Sequence, residues 1–493
     1  MTRHRYVDLK KIAWDVMKKY GFEPDFSKKV MDEVNGINTG KLFKKHKKIM
    51  DLRSLLWSSI DNSDSMDLDQ IEYCKKNSDG SIEVFVAIAD VDFYIPANSK
   101  ADKHAAHNGT SVYTGIETFP MFPDRLSKGM SSLLPGQDCM AVVIEYTVME
   151  DGSVKRGDVF MALVSNKAKL VYEVVGDWLE GKCDIPSSVS QKTGIVEQIL
   201  LQNEAAVRLK KYRIKKGALV LETIEATPVH DDGKVRDLVV QEPNAARYII
   251  EELMVAANGT VVSFIDDAGI SMIQRVVKTP KDWDGIVKIA AFFGEKLPEI
   301  PNSKALTAFL IKQQEKDPDR FPDLSLTVIK LIGRGIYLPL KAGKTPEGHF
   351  GLAVTDYTHA TAPNRRYVDL INQRLIKSVL FGKKSPYNYD DLSDLSEWLS
   401  DRENSSKKVE RFMRKAAAAV LLQKRMGEVF EAFVTGASNK GVYVRLLSFP
   451  AEGRVMEGEA GLYVGDKVRV KLILADPYRG YIDFKCVDKV TGR

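Results

Sequence analysis

Between Ile60 and Gln70 the chain places four aspartates within nine residues, Asp61, Asp64, Asp67 and Asp69. Both flanks read as β. Leu52 to Ile60 is mostly apolar, and Ile71–Cys74 and Ile82–Val91, joined by Asn77-Ser78-Asp79-Gly80, read as a hairpin because Asp-Gly is a turn signal. If Asp67 to Tyr73 is extended, Asp67 and Asp69 share one face and Leu68 takes the other. Asp61 closes the preceding strand and reaches the same point. Three converging carboxylates repel one another unless a cation sits between them, and their hard oxygens suit magnesium or manganese. The same acidity also describes a solvated turn. A calcium loop counted from Asp61 puts Ser63, Ser65 and Glu72 at ligand positions, but Met66 falls where that loop needs glycine and its flanks are strands.

At 493 residues the chain is predicted to form about three units, one of them large. Its 44% hydrophobic and 28% charged residues give an ordinary core and surface. No run of about 18 consecutive apolar residues is present, so no membrane span and no membrane partner are expected. The N-terminus leads into a charged amphipathic helix rather than a signal-peptide core. Cys74, Cys139, Cys183 and Cys486 are far apart, which argues against zinc and a disulfide framework and for a reducing cytoplasm.

A net charge of +5 permits a polyanionic partner without arguing for one. The distribution says more. Lys41, Lys44, Lys45, Lys47 and Lys48 precede the acidic segment; Lys407, Lys408, Arg411, Arg414, Lys415, Lys424 and Arg425 form a second basic stretch. There Ser405 and Ser406 are candidate helix caps, and Val409, Phe412, Met413, Ala416, Val420 and Met426 are a candidate buried stripe. Each run is either a solvated face or a cationic wall for a polyanion.

A second chemical segment runs from Asp356 to Tyr367. Pro363 suits the first turn of a helix continued by Val368, Ile371, Leu375 and Val379. Arg365 and Arg366 then fall in that first turn, where the helix dipole disfavours positive charge. An anion bound there explains the arrangement, and so do surface pairs with acids such as Asp369. His359 reads as a structural histidine.

Asp61, Asp67 and Asp69, followed by Thr361-Ala362-Pro363-Asn364-Arg365-Arg366-Tyr367, resemble the signatures of the ribonuclease II/R (RNB) family of 3′-to-5′ exoribonucleases. Supporting stretches are Val86–Val91, Phe119–Pro123, Asn166–Tyr172 and Ile250–Asn258, so the resemblance covers roughly Asp51 to Ser400. Gly427 to Val487 reads as short strands and is similar to the S-one RNA-binding domain, an OB-fold barrel. The expected organisation is a small helical, basic N-terminal region (1–50) and an α/β (mixed) RNB catalytic domain (51–400). A connecting helix (401–426) and a C-terminal OB-fold β-barrel (427–493) follow. In the N-terminal region helices are predicted over Val7–Tyr20 and Ser27–Val34; its roughly 50 residues leave no room for the paired cold-shock domains of ribonuclease II members.

The resemblance implies Mg²⁺-dependent hydrolysis of single-stranded RNA to nucleoside 5′-monophosphates, with Mn²⁺ an alternative metal. It implies that Asp61, Asp67 and Asp69 hold the metal and that Arg365 and Arg366 neutralise charge on the phosphorane. Tyr113 would stack on the last bases, and Glu251 or Glu252 would orient the terminal ribose. In the barrel, Phe433 and Tyr443 are candidate stacking surfaces or core, and Arg445, Lys467 and Arg469 candidate phosphate contacts. The sequence departs from the family in three places. Gln70 stands where a fourth aspartate is usual, able to orient a water but adding no charge. Ala362 replaces the usual serine, with Thr361 the expected substitute cap, and Asn364 replaces the usual isoleucine. The change at Gln70 keeps open a second reading, a catalytically weakened homologue that binds RNA. A phosphoesterase acting on small substrates is disfavoured by the barrel.

Overall fold

Asn77-Ser78-Asp79-Gly80 closes the expected hairpin. Gly80 takes a positive φ of 80°, and the Asp79 carboxylate accepts from the backbone N–H and Oγ of Ser81. The computed structural model describes residues 7–39, 49–222, 225–231, 233–438 and 441–490; the basic run Lys41–Lys48 lies outside them. The hairpin is the centre of a seven-stranded mixed sheet ordered β1-β8-β7-β4-β3-β2-β9. Its strands are β1 (Met50–Asp51), β2 (Ser58–Asp61), β3 (Gln70–Lys76), β4 (Ile82–Ala89), β7 (Cys139–Val148), β8 (Val154–Val164) and β9 (Ala168–Val171). Two pairings are parallel, β1 with β8 and β2 with β9, and the others antiparallel. A small ribbon, β5 (Val112–Tyr113) with β6 (Thr118–Phe119), stands apart.

Alternation divides the sheet's side chains. Ile60, Cys74, Val84, Val86, Ile88, Val142 and Ile144 join the main core, while Ile71, Ala87, Ala89, Ala141 and Val143 join a second core under Trp57 and Leu68. Helices α1 (Leu9–Lys19) and α2 (Lys28–Asn35) begin the fold where helices were expected, capped by Asp8 and Ser27. Then come α3 (Lys100–Asn108), α4 (Tyr172–Leu179), α5 (Ser187–Ser190), α6 (Ile195–Lys216) and α7 (Ala245–Asp267). By length and composition α7 is apolar enough to cross a membrane, which the sequence reading did not expect; 61% of its most apolar stretch is buried, and it packs on β7 and β8. Ribbon β10 (Glu225–Asp231) and β11 (Lys234–Gln241) precedes α7.

A helical lobe of α8 (Trp283–Phe292), α9 (Ser303–Lys316) and α10 (Phe321–Ile332) has its own core and is framed by β12 (Met272–Val276) and β13 (Ile336–Leu340). The last helices are α11 (Tyr367–Leu380) and α12 (Tyr389–Leu422). α12 corrects two expectations. It runs unbroken through residue 400, so no boundary separates a domain ending there from a helix starting at 401. Its cap is Asn388, reciprocated by Asp391 in a capping box, while Ser405 and Ser406 are buried in its middle. Val409, Met413 and Ala416 are buried as expected; Met426 lies beyond the helix and is exposed.

The C-terminal strands close into a barrel ordered β14-β15-β16-β18-β17. They are β14 (Val429–Ser438), β15 (Gly441–Leu446), β16 (Glu452–Glu457), β17 (Lys467–Asp476) and β18 (Tyr481–Lys489). The barrel core continues into Ala418, Ala419 and Leu422 of α12 and Leu238 of β11.

Candidate active site

β3 starts at Gln70, so Asp67 and Asp69 lie in the irregular segment leading into it rather than on an extended strand from Asp67. Asp61 ends β2 and accepts from Ser65 Oγ at 2.8 Å and Asn62 N at 2.7 Å. Asp67 accepts from Tyr113 Oη at 3.3 Å. Asp69 is only 2% exposed, and each of its oxygens is engaged from far along the chain: Oδ1 by Asn364 N at 2.9 Å, Oδ2 by Arg365 Nε at 3.1 Å. Gln70 is buried on the strand proper.

Residues 361–366 form a turn ahead of α11, which begins at Tyr367 with Arg366 as its cap. Arg365 and Arg366 therefore precede the first helical turn rather than occupy it. Thr361 does not take over the capping. No side chain caps α11, and Asp369 braces the preceding turn instead: its Oδ1 accepts from Ala362 N at 2.7 Å, and its two oxygens hold Arg366 Nε and an Nη at 2.8 and 2.7 Å. The guanidinium of Arg366 is thereby committed to Asp369. Arg365 is different, its side chain 47% exposed and held at the Nε edge by Asp69. A third segment completes the clasp. Ser111 N and Thr110 Oγ1 donate to Arg365 O, and Tyr367 N donates to Gly109 O, which fixes the stretch carrying Tyr113.

Burial raises the pKa of Asp67, with Arg365 opposing the rise, and pushes Asp69 up to about 7 even though Arg365 and the Asn364 amide favour its anion. Beside this cluster lies a cleft of about 180 Å³ whose walls include Tyr113, Arg365, Arg366, Tyr337, Lys407 and Glu410. Glu410, from the basic stretch of α12, accepts from Tyr113 N at 3.4 Å. Sequence reasoning missed it because it sits among lysines and arginines. Buried His359, with Tyr337 Oη 2.9 Å from its Nδ1, is held neutral by desolvation and fits the structural role expected of it.

Among the described residues no three His, Cys, Asp or Glu side chains gather into a metal cage, so the expected three-way convergence on one point is not met. The donor chemistry nevertheless suits a hard cation. The donors are all oxygen, and the charge of Asp61 helps to raise the pKa of Asp67, as that of Asp67 does for Asp69. With both Asp69 oxygens engaged, Asp61 and Asp67 are the residues that would bind it directly.

Glu251 and Glu252 lie elsewhere. Both face Arg213 of α6, Glu252 buried and paired through both of its oxygens, and among the described contacts neither touches the aspartates or Arg365. On the barrel, Phe433, Tyr443 and Arg445 point outward while Ala432, Val434, Val442 and Val444 fill the core, so neither aromatic is barrel core. Arg320 lies 5.4 Å from the Phe433 ring and Lys415 5.9 Å from the Tyr443 ring. Arg445 is half-buried in a bidentate pair with Asp323 of α10 at 3.0 and 2.8 Å, which makes it an anchor between barrel and lobe. Lys467 and Arg469 pair with Glu431 and Asp488 at the surface.

These features define a class: a mixed α/β domain with a carboxylate–arginine centre, followed by an OB-type barrel. The RNB domain family matches residues 49–382, and the RNase II-type exonuclease C-terminal S1 domain matches 428–487; the chain belongs to the RNB family. Ribonuclease R of Thermotoga maritima is 29% identical over 94% of this chain and 68% of its own length. Mycoplasma genitalium RNase R, solved with ribose-methylated single-stranded RNA, superposes with a TM-score of 0.85 at 22% identity over 97% of this chain and 78% of that one. Yeast Ssd1, a pseudonuclease, shares the fold with a TM-score of 0.72 at 17% identity over 95% of this chain and 57% of its own. The chain spans between 57% and 71% of the length of the curated relatives it matches.

Proposed function

We propose that this protein is a 3′-to-5′ exoribonuclease that hydrolyses single-stranded RNA to nucleoside 5′-monophosphates with Mg²⁺ or Mn²⁺. The observation that carries the reading is the lock on Asp69, which draws Asn364 and Arg365 onto the acidic segment beside a cleft carrying Tyr113. Bound through Asp61 and Asp67, the metal would supply Lewis-acid stabilisation and a water of lowered pKa. Asp69 holds the arginine loop against that centre. The exposed Nη edge of Arg365 is placed to meet charge developing on the phosphate, the role of a preorganised oxyanion donor. Tyr113, fixed by Asp67 and Glu410, presents an aromatic face to the terminal base. Glu251 and Glu252 are spoken for by Arg213, which argues against a direct role at the ribose in this arrangement.

One observation favours the second reading, an RNA binder without turnover: Gln70 brings no negative charge to the centre. The test is 5′-labelled single-stranded RNA incubated with purified protein and Mg²⁺. A ladder shortening from the 3′ end supports the enzyme, and a retarded, intact band establishes the binder instead.

A further inference from the structure

Glu72 lies two residues beyond Gln70 on β3 and so on the same face of the sheet. Apart from Gln70, its neighbours on that face include Ile60, Cys74, Val84, Val86 and Ile88, which enter the main core. Glu72 is 0% exposed, and neither carboxyl oxygen has a hydrogen-bond partner. Its neighbours do not help it. Gln202 Nε2 donates to Ser58 Oγ and to the Glu72 backbone carbonyl, leaving Gln202 Oε1 a second buried acceptor with no donor. Tyr146 and Tyr172 feel its charge, but Tyr146 Oη donates to Leu253 O. The charged group whose field reaches it is another acid, Asp61.

A buried carboxyl with no partner is costly, and an aliphatic side chain would suit this face. Two unpaired acceptors beside Asp61 call for a cation or a donor that the protein does not itself provide. We propose that Glu72, acting with Asp61, is a carboxylate of the metal centre, replacing from the same strand face the acid that the family places at position 70 and that Gln70 lacks. Burial and Asp61 both raise the Glu72 carboxyl well above the usual range, so a divalent cation binds with release of its proton. The assignment rests on the metal-dependent reading proposed above.

The experiment measures Mn²⁺ binding by electron paramagnetic resonance, and the rise in unfolding temperature on adding Mn²⁺, for the full chain and its variants. Glu72→Gln should weaken Mn²⁺ binding by roughly 10–100-fold, the range for disturbing a ligand environment, and abolish the rise while leaving metal-free unfolding near wild type. The double variant Gln70→Asp/Glu72→Gln should recover most of the affinity. Glu72→Leu, which matches the surrounding core, is read in the same way should the amide variant misfold. Wild-type affinity in Glu72→Gln or Glu72→Leu overturns the assignment, as does failure of Gln70→Asp to rescue. If wild type shortens RNA only with metal and Glu72→Gln binds Mn²⁺ normally, this inference alone fails. If wild type neither binds Mn²⁺ nor shortens RNA, the proposed function fails with it.

Discussion

At the scale of single residues, Asp69 combines nearly complete burial with bonds from Asn364 and Arg365 on the loop ahead of α11. Asp69→Asn keeps the shape and removes the charge that grips Arg365, so the arginine loosens and the centre loses an anion. Hydrolysis should fall by at least the roughly 10–100-fold typical of changes around metal ligands, with RNA affinity within a few-fold; single-turnover kinetics and filter binding separate the two. Burial lifts Asp69 from the ordinary aspartate pKa of 3.8 to about 7, which also fixes a pH dependence. Between these values the native state holds a proton that the unfolded chain has lost, so stability from this group is full at low pH and disappears as pH rises through about 7. Metal-free wild type should therefore lose unfolding temperature between pH 5 and 7.5 more steeply than Asp69→Asn, and added Mg²⁺ should reduce the difference; calorimetry in chelator and in Mg²⁺ checks both. The aspartates and both arginines were legible in the sequence because their chemistry is carried by side-chain type and spacing. The Asn364 amide, Glu410 and the isolation of Glu72 were not, because each depends on what segments distant in sequence bring together.

At the scale of elements, α11 joins the arginine loop to the segment that follows β4, beside Asp69, and to α3 through a buried ionic network. Arg374 pairs with Asp92 at 2.9 Å and Asp102 at 2.7 Å, and Lys377 with Asp90 at 3.0 Å and Asp92 at 2.9 Å. Tyr367 Oη adds a bond to Asp102. Removing one cation strands buried carboxylates, so Arg374→Met should destabilise by about 3–5 kcal/mol, read from the urea midpoint. Because α11 positions Arg366 and the loop before it, the same variant should lower turnover at temperatures where it remains folded. The sequence correctly gave a helix here, but its start was misplaced. Pro363 is compatible with a first helical turn, and only the pull of Asp369 on Ala362 and Arg366 shows that the turn lies outside. Ser405 misled for a related reason, since a serine is a good cap only where a helix actually begins.

At the scale of the whole molecule, the barrel is joined to the RNB domain rather than tethered beside it. Its core runs into α12, Arg445 holds Asp323, Lys330 donates to Thr435 O and Arg320 donates to Gly465 O. Deleting the barrel would uncover Ala418, Ala419 and Leu422 and confuse lost binding with lost packing. Point variants divide the roles instead. Lys467 and Arg469 sit in surface ion pairs, which are worth little in water and exchange readily for phosphates. Replacing either with alanine should weaken single-stranded RNA binding and flatten the dependence of log affinity on log salt by about 0.7 per contact. Arg445→Ala should leave that slope unchanged, because its guanidinium is committed to Asp323, and should instead lower stability. Phe433→Ala/Tyr443→Ala should cost about 1–3 kcal/mol per stacked base with no change in slope. Arg365→Ala, at the other site, should lower turnover by about 10²–10³ with little effect on affinity. Combined with Lys467→Ala its defect should add in free energy, since the two act on separate steps. Filter binding across a salt series, paired with single-turnover hydrolysis at saturating RNA, tests the division. A changed slope in Arg445→Ala would show that it contacts phosphate rather than only Asp323, and an Arg365→Ala defect confined to affinity would show that Arg365 serves capture rather than chemistry.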